Sequence, residues 1–168
     1  HYDHFDMAAI EMLQSPDTRI LLDKTSAEGL QGNCFTMLPK AVAEPFDDIK
    51  VEAVAAYNTS EHQLQFHPKE REDCGYILTI DNAVRIYMSG DTEPTDELRA
   101  VKNIDIAFIC VNQPYTMTPE QAVEAVKAHL GEFKKVRIGY LPEIYPAGDE
   151  VVTIYETTGR VVNPGALP

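Results

Sequence analysis

His1-Tyr2-Asp3-His4-Phe5-Asp6 opens the chain and puts two imidazoles and a carboxylate within four consecutive positions. Imidazole nitrogen and carboxylate oxygen are both donors to a borderline cation such as zinc. Neither an α-helix nor a flat strand easily brings positions one, three and four of such a run to a single point. A tight loop at the end of a strand does. A second stretch, Val84-Arg85-Ile86-Tyr87-Met88-Ser89-Gly90-Asp91-Thr92, runs an apolar strand into Gly-Asp-Thr. Asp91 then stands at the end of a strand, at the sheet edge where ligands gather. Read alone it is a helix cap: Thr92 or Thr95 opens a helix holding Leu98 and Val101, and Asp91 complements its dipole. In a third stretch, Phe66-His67-Pro68-Lys69, the histidine read alone is a loop residue. Lys69 and Arg71 beside it serve equally as solvated charges or as a cationic patch for an anionic substrate.

Composition narrows the class. A chain of 168 residues suffices for one domain with a real core, and we expect a single domain over residues 1–168. Hydrophobic residues make up 44 % and charged residues 24 %, ordinary for a soluble globular protein. The formal net charge of −13 argues against nucleic acid and anionic membrane surfaces, which need a basic face. An anionic small substrate stays compatible, because a bound metal inverts the local field. No apolar run approaches the ~20 residues that span a bilayer. Cys34, Cys74 and Cys110 form no CxxC pair. They read as reduced, mostly buried small apolar residues, and the cytoplasm is the expected location.

Periodicity outlines a strand-rich α/β chain. Met7 to Leu13 has helical spacing and stops before Ser15-Pro16-Asp17. Arg19 to Leu22 is a short strand, and Thr25 to Leu30 a short helix. Cys34 to Leu38 and Ile49 to Tyr57 read as strands from their β-branched and apolar content. Tyr76 to Ile80 and Val84 to Ser89 flank Asp81-Asn82-Ala83 as a hairpin. Ile104 to Val111 is almost continuously apolar, as in a strand covered on both faces. Thr118-Pro119-Glu120-Gln121 predicts a helix start with a capping box, and Gly131 its end. Val136 to Tyr140 is a further strand. Val151 to Tyr155 and Arg160 to Val162 flank Thr157-Thr158-Gly159 as a last hairpin. At least two hairpins exclude a purely parallel sheet.

Taken together and in order, these stretches resemble the metallo-β-lactamase superfamily, whose metal motif is His-x-His-x-Asp-His. His1-Tyr2-Asp3-His4 matches its last four positions, and Gly90-Asp91-Thr92 matches the later Gly-Asp-Thr whose aspartate bridges two metals. Ala56-Tyr57-Asn58, Phe66-His67-Pro68-Lys69, Gly75-Tyr76 and Pro114-Tyr115-Thr116-Met117-Thr118-Pro119-Glu120-Gln121-Ala122 look like the small metal-dependent hydrolases near the ascorbate-6-phosphate lactonase group. The resemblance implies an α/β (in some schemes α+β) four-layer αββα sandwich with the metals at one edge between the sheets. It implies two divalent ions, zinc first, with manganese or iron as alternatives. His1 would serve the first metal, Asp3 and His4 the second, Asp91 would bridge, and His67 is the candidate mid-chain ligand. Asp3 would orient an activated water and take its proton. Tyr115, Asn58 or Lys69 would polarise a substrate oxygen.

Two departures from the family pattern stand out. The family's N-terminal strands and first metal histidine have no counterpart, so we expect a fragment that begins inside the metal motif and leaves an apolar sheet edge bare. The last metal histidine is absent from Gly139-Tyr140-Leu141-Pro142-Glu143-Ile144-Tyr145-Pro146. Glu143 either takes its place or is a plain loop acid, and His129 reads as a helix-end residue. The expected activity is metal-dependent hydrolysis of an ester, lactone or phosphoester. The rival expectation is a degenerate relative that keeps the scaffold and binds a ligand or partner without catalysis.

Overall fold

Alternating apolar positions build the central strands, and short capped helices connect them. The computed structural model describes residues 3–30, 32, 34–129, 135–139, 154–156 and 161–162, and beyond residue 125 the backbone only. The chain forms α1 (Met7–Leu13), β1 (Ile20–Leu22), α2 (Lys24–Ala27) and β2 (Cys34–Thr36). Next come β3 (Val42–Phe46), β4 (Ile49–Ala55), a 3-10 turn at Lys69–Arg71, β5 (Cys74–Ile80) and β6 (Val84–Met88). Then follow α3 (Asp96–Arg99), β7 (Ile106–Cys110), α4 (Pro119–His129), β8 (Lys135–Gly139), β9 (Ile154–Glu156) and β10 (Val161–Val162).

β1 and β2 pair in parallel as a small sheet, and the other strands form an 8-stranded sheet in the order β10-β9-β8-β7-β6-β5-β4-β3. β3 to β6 form an antiparallel meander, while β6, β7 and β8 are parallel. The change follows from the connections. Two- and three-residue turns close the β3–β4 and β5–β6 pairs and a long loop joins β4 to β5, whereas α3 and α4 carry the crossovers that parallel pairs require. On one face of the large sheet Ile77, Tyr87, Ala107 and Ile109 are buried with Leu98, Met117, Ala122 and Ala125 from the helical side. On the other face Val51, Ala53, Tyr76 and Leu78 receive Leu21 from β1 and Met37 from the residue after β2. With α2 against β2, this is the mixed α/β layering that the resemblance implies, with a short first sheet. That sheet covers β4 and β5 but not β6 and β7, where Met88, Ile106 and Phe108 stay 39 %, 38 % and 50 % exposed.

Local chemistry explains most of the elements. Thr118 N–H donates to Gln121 Oε1 at 2.8 Å and Gln121 N–H to Thr118 Oγ1 at 3.2 Å, the reciprocal pair of a capping box. Asp81 and Asn82 both take positive φ in the β5–β6 turn, a conformation their short polar side chains tolerate. Thr95, not Thr92, caps α3, accepting from Leu98 N–H at 3.0 Å.

Some expectations need correction. β3 was not anticipated, because Glu44 and Pro45 break its pattern. Pro45 is accommodated because β3 is an edge strand and its register to β4 shifts between Ala43 and Phe46. The strand expected over Ile104 to Val111 shrinks to β7, with Ile104 and Val111 buried in its flanking turns. The strand expected to reach Tyr57 ends at Ala55. The three cysteines are free and half-buried rather than buried. The final hairpin is present as β9 and β10, with its turn outside the described residues. Among the described residues no helix is long and apolar enough to cross a membrane.

Candidate metal centre

Beyond Met88 the chain turns over the sheet edge through Ser89-Gly90-Asp91-Thr92-Glu93. Two glycines make that turn possible. Gly90 has φ +62°, and a Cβ on it would sit 3.0 Å from the Cys74 carbonyl oxygen. Gly75 lies across from it, where a Cβ would meet the carbonyl oxygens of Ser89 and Met88, the latter at 2.6 Å. The ends of β5 and β6 therefore run backbone against backbone. Ser89 Oγ donates to the Gly90 carbonyl and accepts from Cys110 N–H, both at 2.9 Å, which fastens the turn to β7. Asp91 leaves this turn with its side chain 16 % exposed.

Two other segments converge on Asp91. His4 lies in the turn before α1, and its Nε2 is 3.5 Å from Asp91 Oδ2. Asp3 Oδ2 is 4.0 Å from the same imidazole nitrogen. His67 comes from the far end of the loop after β4, and its Nε2 is 3.7 Å from Asp91 Oδ2. One ligand atom each from Asp3, His4 and Asp91 fall within 4.8 Å of one another. Two donors bound to one zinc ion at ~2.1 Å and at the tetrahedral angle lie ~3.4 Å apart. The donor atoms thus fit a small divalent ion, in both chemistry and spacing. Asp6, next in sequence, is occupied differently: it caps α1, accepting from Ala9 N–H at 3.1 Å. Asp91, by contrast, caps no helix, since α3 starts only at Asp96.

The electrostatics favour neutral imidazole. Burial holds His67 below the ordinary histidine value, against the opposing pull of the Asp91 carboxylate. A neutral ring is the form that ligates metal. A cavity of about 160 Å³ adjoins the cluster, lined by His4, Leu22, Asp23, Cys74, Tyr76 and Asp91 among others. Burial, with Asp73 nearby, pushes the Cys74 thiol up to about 12. It stays protonated at neutral pH and is a poor ligand and nucleophile.

The remaining sequence candidates divide. Asn58 is 1 % exposed, and its amide donates to the Gln63 carbonyl at 3.0 Å and the Tyr115 carbonyl at 2.6 Å. Both donors are spent on the protein, so Asn58 does not offer N–H to a substrate. Tyr115 is 37 % exposed, its ring edge-on to Phe66 at 4.9 Å. The structure does not bring Lys69 to the cluster. Its Nζ donates to Tyr57 Oη at 3.0 Å and to Glu97 Oε1 at 3.4 Å. Those three residues line a separate groove of about 1090 Å³ on the helical side, which includes neither His4 nor Asp91. His1 and Glu143 lie outside the described residues. Sequence reasoning missed Glu93, a fully buried carboxylate next to the Gly-Asp-Thr element. Its signal was an acid following Asp91 at a position too polar for a core.

The model of the beta-lactamase superfamily domain matches residues 1–136 of this chain. A protein of Parabacteroides distasonis assigned as a metal-dependent hydrolase superposes with a TM-score of 0.71 at 40 % identity, over 79 % of this chain and 57 % of that one. A UPF0173 metal-dependent hydrolase of Enterococcus faecalis is 34 % identical over 100 residues, 56 % of this chain and 43 % of that protein. A cobalamin reductase of Citrobacter freundii is 61 % identical over 33 residues, 20 % of this chain and 7 % of that protein. The chain thus spans little more than half, or less, of the length of these relatives. Residues 137–168 lie beyond the family match.

Proposed function

The chain belongs to the beta-lactamase superfamily domain family, and on that premise we propose that it is a metal-dependent hydrolase acting on an ester, lactone or phosphoester bond of a small-molecule substrate. The observation that carries the proposal is the convergence of Asp3, His4, His67 and Asp91 from three separate segments. Unlike exposed surface acids, these groups include a buried imidazole facing a carboxylate, which is costly unless a partner compensates.

Asp3, His4, His67 and Asp91 would hold the metal, with zinc as the first candidate and manganese or iron next. When bound, the metal supplies Lewis acidity and brings the pKa of a water ligand down to ~7. The residues of the chain do the rest. Asp3, the most exposed member at 54 %, would orient that water and accept its proton. Asp91, between His4 and His67, is the group able to touch more than one ion. Tyr115, 37 % exposed beside Phe66, is the proposed donor to a substrate oxygen. Half-buried free cysteines fit a reducing compartment, and we place the protein in the cytoplasm.

The test is metal analysis of the purified chain together with turnover of a generic phosphodiester, ester and lactone. One to two equivalents of divalent metal and chelator-sensitive hydrolysis of one of these is the expected result. Metal-loaded protein inert toward all three, or protein that cannot be loaded, would overturn it in favour of a non-catalytic scaffold.

A further inference from the structure

Glu93 is 1 % exposed, yet its carboxylate touches no part of the His4–Asp91 cluster in its hydrogen bonds. Oε2 accepts from the backbone N–H groups of Thr59 and Ser60, each at 2.6 Å, and from Thr59 Oγ1 at 3.2 Å. Oε1 accepts from Ser60 Oγ at 2.6 Å and Gln121 Nε2 at 3.3 Å. A carboxylate taken out of water is tolerated only when both oxygens are saturated in this way. Hydrogen bonds to an ionised acceptor are about twice as strong as neutral ones.

The loop that Glu93 grips runs from Tyr57 to His67. Its base is closed by Asn58 N–H donating to the His67 carbonyl at 2.8 Å. Tyr57 is bound on both sides by Thr92 Oγ1, at 3.0 Å through its N–H and 2.9 Å through its carbonyl. Asn58 and Gln63 tie the same loop to the carbonyls of Tyr115, Pro114 and Thr116. None of residues 57–67 belongs to either apolar core cluster, and Leu64, its aliphatic member, is 43 % exposed. The loop is therefore placed mainly by polar contacts. Arg71 Nη1 donates to the Phe66 carbonyl at 3.1 Å, and Glu97 and Lys69 bond the Tyr57 hydroxyl at the other end, but these contacts are part-buried or exposed, whereas Glu93 is the buried charge that grips the middle of the loop.

We propose that Glu93 is a positioning residue of the metal centre: its buried carboxylate fixes the loop from Tyr57 to His67, and thereby holds the His67 imidazole against Asp91. This rests on the reading of the cluster as a metal site. One segment then does two jobs, Asp91 facing the ion and Glu93 setting the partner ligand. Removing the charge loosens the loop while both apolar clusters stay packed.

The experiment is a chelator-competition titration of the 168-residue chain with Zn²⁺, with the electronic spectrum of the Co²⁺-loaded protein and the melt of the metal-free protein beside it. Glu93→Gln keeps the shape and removes the charge. It is expected to weaken Zn²⁺ binding about 10–100-fold, the range for groups that orient ligands, and to shift the Co²⁺ bands while the metal-free protein still melts cooperatively. Ser60→Ala removes one donor to Oε1 and is expected to act in the same direction by about 3-fold. A folded Glu93→Gln protein with unchanged Zn²⁺ affinity and Co²⁺ spectrum overturns the proposal. Should Glu93→Gln fail to fold, Ser60→Ala decides, and unchanged affinity there overturns it. Wild-type protein that takes up no metal refutes the metal reading itself. The imidazole nitrogen resonances of His67 in the metal-free protein then decide the positioning claim: displacement by Glu93→Gln supports it, and no displacement overturns it.

Discussion

His67 Nε2 and Asp91 Oδ2 face each other at 3.7 Å across the mouth of the sheet, although one leaves a loop and the other a strand end. The histidine is buried and the aspartate nearly so, with side chains 5 % and 16 % exposed. An imidazole and a carboxylate so placed are the donor types of the proposed metal site. His67→Gln and Asp91→Asn are each expected to lower Zn²⁺ affinity by more than the ~10–100-fold typical of groups outside the coordination sphere. Metal content of the purified variants measures this. Wild-type stoichiometry in either one would remove that residue from the ligand set.

Backbone approach between β5 and β6 makes Gly75 irreplaceable. A Cβ there meets two carbonyl oxygens of the opposite strand end, and neither is the tip of a flexible side chain. Gly75→Ala is expected to destabilise the fold by about 1–3 kcal/mol or more, as forced overpacking does. It is also expected to shift the turn that presents Asp91, so metal affinity falls along with the melting temperature. A melt within a degree of wild type would contradict the close approach.

The capping box at the start of α4 has a separable effect. Thr118→Ala removes the acceptor for Gln121 N–H and is expected to cost about 1 kcal/mol. In a domain of this size that lowers the melting temperature by roughly 2–4 °C. Metal binding is expected to be unaffected, which calorimetry on the same preparation checks.

Acid sensitivity follows from Glu52. Partial burial raises its carboxyl pKa, but hydrogen bonds from Lys50 and Arg85 outweigh that and hold it below the ordinary glutamate value. Arg85 Nη1 donates to Glu52 Oε2 at 2.9 Å. The folded state therefore holds this proton less tightly than the unfolded chain. The stability Glu52 contributes is full above the unfolded value of about 4.3 and is lost as pH falls through the folded one. Melting temperatures of the metal-free protein from pH 7 to pH 3 should fall more steeply for wild type than for Glu52→Gln. Parallel curves would show that the pair contributes nothing.

Much of this protein was fixed by its residues in order. The β5–β6 hairpin came from two alternating runs around Asp81-Asn82, the α4 start from Thr118 and Gln121, and the donor types of the site from His4, Asp3, His67 and Asp91. Such features are legible because their causes are local: a side-chain period, a turn residue, or a cap reaching three positions along the chain. Only the tertiary structure decided which donors meet. It took Lys69 away to Tyr57 and Glu97, spent the Asn58 amide on two carbonyls, gave the cap of α3 to Thr95 and left Thr92 to bind Tyr57. It also buried Glu93 beneath a loop that no periodicity could connect to it. Those outcomes depend on strand register and on contacts across the fold, more than thirty positions apart for Thr92 on Tyr57 and for Glu93 on Thr59 and Ser60. Their energies arise only once the sheet has brought the partners out of water together.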